Sequence, residues 1–320
     1  MNHPESNLRV RANSPCRQLA INFSVLEWEK GRKEQDVSAP YMKKGKGDGV
    51  EINLAVWEGK GNDILCIHGL TANCRCWDGI ASSLSPLHRV WAVDLRGRGF
   101  SDKPSSGYSI DHHCRDIRAL LGHLGIKRIA LMGHSLGAYI ALAYAAKYPE
   151  QVGNLILIDG GGKLSPEQAA KVFAGIKPSL DRLGQVFPTF EAYIDNMKKA
   201  PFLQPWSPLM DAYFRHEAEM FPGGVRSRIQ PAHIQEEASN LNRFEAEPLY
   251  RQIQCPALIL RAPEGMLAKD DILLPEEVMD KMIRKIPGAK RLDLPGTNHF
   301  SILFAPSAAR EEGIREFLAG

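Results

Sequence analysis

The chain has 320 residues, of which 44% are hydrophobic and 24% charged, so it carries enough apolar side chains for a large core. Its 40 basic and 37 acidic residues give a net charge of +3 without long blocks of one sign, which argues against a nucleic-acid-binding face. No apolar run approaches the ~20 residues of a membrane span. The first 15 residues also lack an apolar stretch that could act as a secretion signal.

Residues 1–40 do not fit the pattern that follows them and are predicted to form an N-terminal extension. From residue 50 onward, short β-rich runs alternate with helical stretches, and several of the runs are almost wholly apolar. Such a pattern indicates parallel strands buried on both faces by helices, the arrangement of an α/β fold. The predicted strands are INLAVWE (52–58), DILCIHG (63–69), RVWAVDL (89–95), RIALMG (128–133), NLILID (154–159), PALILRA (256–262) and KRLDL (290–294).

The alternation breaks at residues 161–247, which are helical in pattern but rich in proline and aromatic residues. We interpret this stretch as a helical cap inserted into an α/β core that comprises residues 41–160 and 248–320. The aromatic side chains of the cap are expected to line an apolar acyl pocket. The candidates are Phe187, Phe190, Tyr193, Phe202, Trp206, Phe214 and Phe221.

The six cysteines, at positions 16, 66, 74, 76, 114 and 255, suggest no disulfide framework in a chain of this length. Cys74 and Cys76, together with His112, His113 and Cys114, match no common zinc-binding spacing. We therefore expect a reduced, cytoplasmic protein without a structural metal.

Residues 133–137 read Gly-His-Ser-Leu-Gly, which has the pattern G-x-S-x-G. A buried strand precedes the motif and an alanine-rich helix follows it, which is the context of a nucleophile elbow. Glycine at 133 and 137 allows a turn too tight for larger side chains. The turn would raise the hydroxyl of Ser135 above the sheet at a helix N-terminus, where developing negative charge is stabilised.

A serine hydroxyl requires a base, and His299 follows the last predicted strand in a loop that can reach the elbow. Acyl transfer also requires two N–H donors directed at the oxyanion. The backbone N–H of Leu136, directly after the serine, is one candidate. The backbone N–H of Leu70 is the other, because Gly69 allows the chain to turn toward the site. His68 is expected to hold this loop rather than to transfer protons.

The stretches HGLTANCRCWD, VDLRGRGFSDKP, GHSLGAY and GTNHFSI resemble the α/β-hydrolase superfamily, in particular its capped esterase-like and lipase-like members. The resemblance implies an eight-stranded, mostly parallel sheet with an inserted helical cap. It also implies a cofactor-free serine hydrolase, most simply a carboxylesterase, that acts on a small-molecule ester, thioester, lactone or activated amide through an acyl-enzyme. A carbon–carbon hydrolase or cofactor-free oxygenase of this fold, and a catalytically silent ligand-binding module, are the alternatives.

The acidic residue of the triad has two candidate locations. In most members of this superfamily it follows the strand equivalent to PALILRA, at the position that is Gly265 here. Glu264, Asp270 and Asp271 are the carboxylates nearest that position. A smaller set, which includes the zearalenone lactone hydrolases and acetamidomethylenesuccinate hydrolases, takes the acid from the end of the preceding strand. Asp159 ends that strand here, 24 positions after the serine as in those relatives, and we predict it as the acid.

Overall fold

The computed structural model describes residues 39–320, so the predicted N-terminal extension lies outside the described residues except for its last two positions. Eight strands form one sheet in the order β1-β2-β4-β3-β5-β6-β9-β10. Strand β2 is antiparallel to β1 and β4, and all other neighbours are parallel. The predicted eight-stranded, mostly parallel sheet is therefore confirmed. Its strands are β1 (Tyr41–Lys46), β2 (Glu51–Trp57), β3 (Asp63–Ile67), β4 (Arg89–Val93), β5 (Ile129–His134), β6 (Val152–Ile158), β9 (Ala257–Arg261) and β10 (Lys290–Asp293).

Helices cover both faces of the sheet. Side chains of β5 alternate between two hydrophobic clusters: Ala130 and Met132 belong to one, and Ile129 and Leu131 to the other. This alternation follows from the two-residue repeat of a strand, and it explains why the central strands are apolar throughout. Helices α1 (Asp78–Leu84), α9 (Ser301–Phe304) and α10 (Ala308–Ala319) contribute to the first cluster, and α2 (Ile110–Leu124), α3 (Leu136–Lys147) and α8 (Glu276–Lys285) to the second.

Residues 161–247, called the cap segment below, connect β6 to β9. The segment contains four helices and a two-stranded antiparallel sheet, whereas the sequence pattern predicted helices only. Its elements are α4 (Pro166–Asp181), α5 (Phe190–Met197), α6 (Pro208–Glu217), β7 (Ala218–Phe221), β8 (Gly224–Ser227) and α7 (Pro231–Asn242). Short 3-10 helices lie at Cys74–Trp77, Pro149–Gln151, Pro201–Leu203 and Glu247–Gln252. Within residues 39–320, no helix is both long and apolar enough to cross a membrane.

Candidate active site

Ser135 occupies the sharp turn between β5 and α3. Its backbone has φ 55° and ψ −121°, a conformation that L-residues rarely adopt. A Cβ atom at Gly133 would lie 2.1 Å from the Gly137 carbonyl oxygen, and one at Gly137 would lie 2.0 Å from the Ile67 carbonyl oxygen. Both glycines are therefore required by close backbone approach. The turn leaves the Leu136 N–H in the first turn of α3, where no intrahelical acceptor exists for it.

His299 and Asp159 form a buried hydrogen-bonded pair. The distance from His299 Nδ1 to Asp159 Oδ2 is 2.7 Å, and both side chains are almost fully buried. Asp159 follows β6 with φ 44°, and its second oxygen, Oδ1, accepts a hydrogen bond of 3.2 Å from the Ala262 N–H. The residue that follows β9 thus donates a backbone hydrogen bond to the carboxylate at the end of β6.

The usual position of the acid, Gly265, has no room for a side chain. A Cβ atom there would lie 1.7 Å from the Ala268 carbonyl oxygen. Asp271 is buried, but its carboxylate accepts hydrogen bonds from the backbone N–H groups of Met266, Leu267 and Ala268. It therefore closes the loop that follows β9 and does not bind His299.

The other two acidic residues of this loop face solvent. Asp270 forms an exposed ion pair with Lys171, with 3.0 Å between the carboxylate oxygen and Nζ. Glu264 is exposed, and its backbone N–H donates to the Thr297 carbonyl. Of the predicted acids, Asp159 is the one that the structure brings to His299.

The loop after β3 is held by His68. The Leu95 N–H donates to His68 Nε2 at 3.0 Å, so this nitrogen carries the lone pair, and Nδ1 carries the proton that it donates to the Gly69 carbonyl at 2.7 Å. Burial lowers the pKa of His68 to about 4, which keeps the ring in this neutral form. The Gly69 carbonyl shares a trans peptide with the Leu70 N–H, so fixing one orients the other in the opposite direction. Within residues 39–320, the Leu70 N–H donates to no backbone carbonyl.

His134, inside the G-x-S-x-G motif, has a position that the sequence analysis missed. Its Nε2 donates to the His299 carbonyl oxygen at 2.9 Å, and the two imidazole rings stack with centroids 4.4 Å apart. Burial, followed by the proximity of His299, holds the pKa of His134 well below its usual value. The neutral ring therefore braces the His299 loop. Its place directly before Ser135 was the available signal, although neighbouring residues of a turn do not reveal a contact across 165 positions.

A small cavity of about 50 Å³ joins these groups. Ser135, His134 and His299 line it, and the rest of the wall is mainly apolar. The remaining lining residues are Gly69, Leu70, Thr71, Ala72, Cys76, Ile176, Ser179, Tyr213, Phe300, Leu303 and Phe304.

The prediction that seven cap aromatics line the acyl pocket was wrong for this cavity, because none of them is in its wall. On helix α6 it is Tyr213 that faces the cavity, whereas its neighbour Phe214 stacks on Trp206 with ring centroids 5.3 Å apart. Phe202 stacks on Phe300, which does line the cavity, and so lies one layer behind the wall. The helical pattern identified an aromatic-rich segment but not which side of α6 faces the serine.

Cys74, Asp94 and His216 form one group whose potential metal-ligand atoms lie within 4.8 Å of one another. His216 Nε2 is 2.8 Å from Asp94 Oδ2, and the Asp94 carboxylate also accepts from Asn53 and from the backbone N–H groups of Cys74 and Phe100. Because these hydrogen bonds already occupy the carboxylate, we interpret the group as a buried contact between the cap segment and the core. The five described cysteines are buried free thiols.

Residues 63–306 match the profile of the α/β-hydrolase fold family. The chain belongs to the α/β-hydrolase family. This match, which spans more than half of the chain, agrees with the sheet order and confirms the resemblance inferred from the motifs.

Among curated proteins of this family, the chain is 30% identical to 2-(acetamidomethylene)succinate hydrolase of Mesorhizobium japonicum, over 83% of this chain and 91% of that one. It is 28% identical to lipase 1 of Psychrobacter immobilis, over 90% and 86% of the two chains. A crystal structure of E-2-(acetamidomethylene)succinate hydrolase superimposes with a TM-score of 0.76 at 25% identity, covering 88% of this chain and all of that one. The enol-lactonase of Burkholderia xenovorans has the same fold, with a TM-score of 0.67 at 19% identity over 87% of this chain and all of that one.

Proposed function

We propose that the chain is a serine hydrolase that cleaves a carboxylic ester, thioester, lactone or activated amide of a small, largely apolar substrate through an acyl-enzyme. The observation that carries this proposal is the 2.7 Å hydrogen bond between His299 and Asp159, beside the same cavity that Ser135 lines. The names of the relatives, which include a lipase and a succinate-derivative hydrolase, are consistent with hydrolysis at an acyl carbon.

In this mechanism Ser135 Oγ attacks the substrate carbonyl while His299 Nε2 accepts its proton. Asp159 fixes the proton of His299 on Nδ1 and stabilises the imidazolium as it forms. The N–H groups of Leu70 and Leu136 bind the oxyanion. His299 then gives the proton to the leaving group, which departs and leaves the acyl-enzyme. In the second half of the reaction, His299 accepts a proton from water as the water attacks the acyl carbon. It then returns that proton to Ser135 Oγ, and the acid is released.

A fluorophosphonate probe and a panel of p-nitrophenyl esters from acetate to decanoate test the proposal. We expect the probe to label the wild-type protein once. Ser135→Ala should abolish the labelling and lower kcat at least about 10⁴-fold, as loss of a nucleophile usually does. Because the cavity is small, kcat/KM should decrease beyond short acyl chains.

Two outcomes would contradict the proposal. A folded wild-type protein that neither binds the probe nor hydrolyses any ester would support a catalytically silent binding module. Turnover of diketones without turnover of esters would support a carbon–carbon hydrolase.

A further inference from the structure

A buried ion pair lies behind the wall of the active-site cavity. Arg182 directly follows α4, and Glu217 ends α6, so the pair links two helices of the cap segment. Arg182 Nε donates to Glu217 Oε1 at 2.8 Å and Nη2 donates to Oε2 at 2.7 Å, a two-bond arrangement. Arg182 is 4% exposed and Glu217 is 1% exposed, so water contributes little to their solvation.

The Arg182 guanidinium is next to the cavity, and its nitrogens bind groups of the protein. Its Nη2 also donates to the Thr71 carbonyl at 2.9 Å, and its Nη1 donates to the Ser179 carbonyl. Thr71 and Ser179 both line the cavity. The hydroxyl of Tyr193 donates to Glu217 Oε1 at 2.6 Å and completes the group. Every nitrogen of this cation thus has a partner inside the protein.

The cavity itself offers no cationic partner. Within residues 39–320, its wall contains no lysine or arginine. Arg98, the other buried arginine at this loop, donates to the Leu70 carbonyl at 3.1 Å and is paired with Glu237. A substrate carboxylate in this cavity would lose its water without gaining a counter-ion, which is strongly unfavourable.

We propose that this site selects acyl groups without charge, and that Glu217 is the residue that excludes carboxylates, by keeping Arg182 occupied. This inference rests on the proposed serine hydrolase function and specifies its substrate class. It separates the chain from its relative named for an acetamidomethylenesuccinate, a substrate whose name denotes two carboxylates.

The test compares kcat/KM for monoethyl malonate, which is an anion near neutral pH, and ethyl 3-methylbutanoate, whose isopropyl group matches the carboxylate in shape. We expect the wild-type protein to prefer the neutral ester by at least about 100-fold, in line with the cost of burying an unpaired charge. Glu217→Gln keeps the size of the side chain and an acceptor for Tyr193 but removes the negative charge. This substitution should reduce the preference in kcat/KM for the neutral ester at least about tenfold, mainly through a lower KM for the anion. The reason is that the positive charge of Arg182 then has no counter-ion within the protein.

The double variant Glu217→Gln with Arg182→Met is the matched control, and it should restore the wild-type ratio because the released cation is absent. Circular dichroism and probe labelling of Ser135 verify that each variant is folded.

A wild-type protein that accepts both esters equally, or that prefers the anion, overturns the inference even if no variant folds. A folded, labelled Glu217→Gln protein with an unchanged ratio also overturns it. Absence of hydrolysis of either ester, together with absence of probe labelling, instead refutes the serine hydrolase function on which the inference depends.

Discussion

Asp159 is positioned by its backbone as much as by its side chain. Its positive φ of 44° turns the carboxylate back from the end of β6, and the Ala262 N–H and His299 Nδ1 each bind one of its oxygens. Aspartate tolerates this left-handed region better than most residues. The residue therefore has the fixed orientation toward the imidazole that the acid of the proposed triad requires.

Asp159→Asn is expected to lower kcat by about 10³–10⁴, because an amide in place of the carboxylate favours the wrong tautomer of the histidine. The measurement is steady-state kinetics on the best p-nitrophenyl ester. Asp271→Asn is the matched control, since Asp271 is a buried aspartate that binds backbone N–H groups and not His299. It should lower stability but leave kcat per folded molecule within about tenfold. The opposite ranking would place the acid in the loop after β9.

His68 allows a sharper test of the loop after β3, called the oxyanion loop because its Leu70 N–H is a proposed oxyanion donor. Asparagine at 68 can place its amide nitrogen where Nδ1 lies and still donate to the Gly69 carbonyl, whereas glutamine reaches toward the Leu95 N–H. We expect His68→Asn to retain most of kcat. His68→Gln should lower kcat about 10²-fold or more with a smaller change in KM, because loss of an oxyanion donor destabilises the transition state more than the bound substrate. Equal kcat values in the two folded variants would show that the Gly69 contact does not orient the Leu70 N–H.

At the scale of secondary-structure elements, the strand–turn–helix unit around Ser135 depends on the close approach of α3 to β3. Gly137→Ala would place a methyl group 2.0 Å from the Ile67 carbonyl oxygen, so α3 must shift. We expect a loss of several kcal/mol in the free energy of unfolding, the range of severe overpacking, together with loss of activity. Urea denaturation and ester kinetics measure the two effects.

Gly122→Ala is the control for that substitution. Gly122 lies in α2, and an added Cβ atom would meet nothing within 4 Å. Replacing a helical glycine by alanine at such an open site should stabilise the protein by up to about 1 kcal/mol. If both alanines had the same effect, close backbone approach at Gly137 would not be what requires glycine there.

The elements that the sequence predicted best are those whose pattern is set by burial. All seven predicted strands are in the sheet, and burial on both faces makes the central ones continuously apolar. Strand β1 was missed because it lies at the edge of the sheet, and five of its six residues are exposed, among them lysines that protect such an edge. The β7–β8 hairpin is short and turns at Pro222-Gly223, and its four-residue strands are too brief for a period to be visible.

The candidate site divides in a similar way. Motif spacing and strand ends suggested Ser135, His299 and Asp159, because these residues lie where consecutive elements meet. The contact of His134 with His299 and the position of Tyr213 in the cavity wall depend on how distant segments pack, and a single sequence does not contain that information. The Arg182–Glu217 pair is likewise invisible in the sequence, since its members are 35 positions apart.

At the scale of the whole molecule, buried charges connect the cap segment to the core. His216 binds Asp94, Arg182 binds the Thr71 carbonyl, and Glu237 pairs with Arg98. Burial by itself raises the pKa of Glu237, but Arg98 and His113 lower it to about 2, so this carboxylate is ionised at neutral pH. Such contacts are specific in geometry, and breaking one partner leaves an unpaired buried charge. These contacts fix the cap segment against the loop that follows β3.

Acid should destabilise the folded protein through its neutral buried histidines. Burial lowers the folded-state pKa of His68 to about 4, whereas an unfolded histidine titrates near 6.5. Between these values the unfolded chain binds a proton that the folded chain excludes, so the stabilisation is fully present above about pH 6.5 and is lost as the pH falls toward 4. His68 alone accounts for a loss on the order of 3 kcal/mol across that window, and His134, whose pKa is also lowered, adds to it.

Unfolding free energies from urea titrations between pH 7 and pH 4 measure the slope of stability against pH. His68→Asn should flatten the curve whatever its stability at pH 7. Parallel curves for the wild-type protein and His68→Asn would mean that His68 is protonated in the folded state at these pH values, and that its neutral Nδ1–H form does not hold the oxyanion loop.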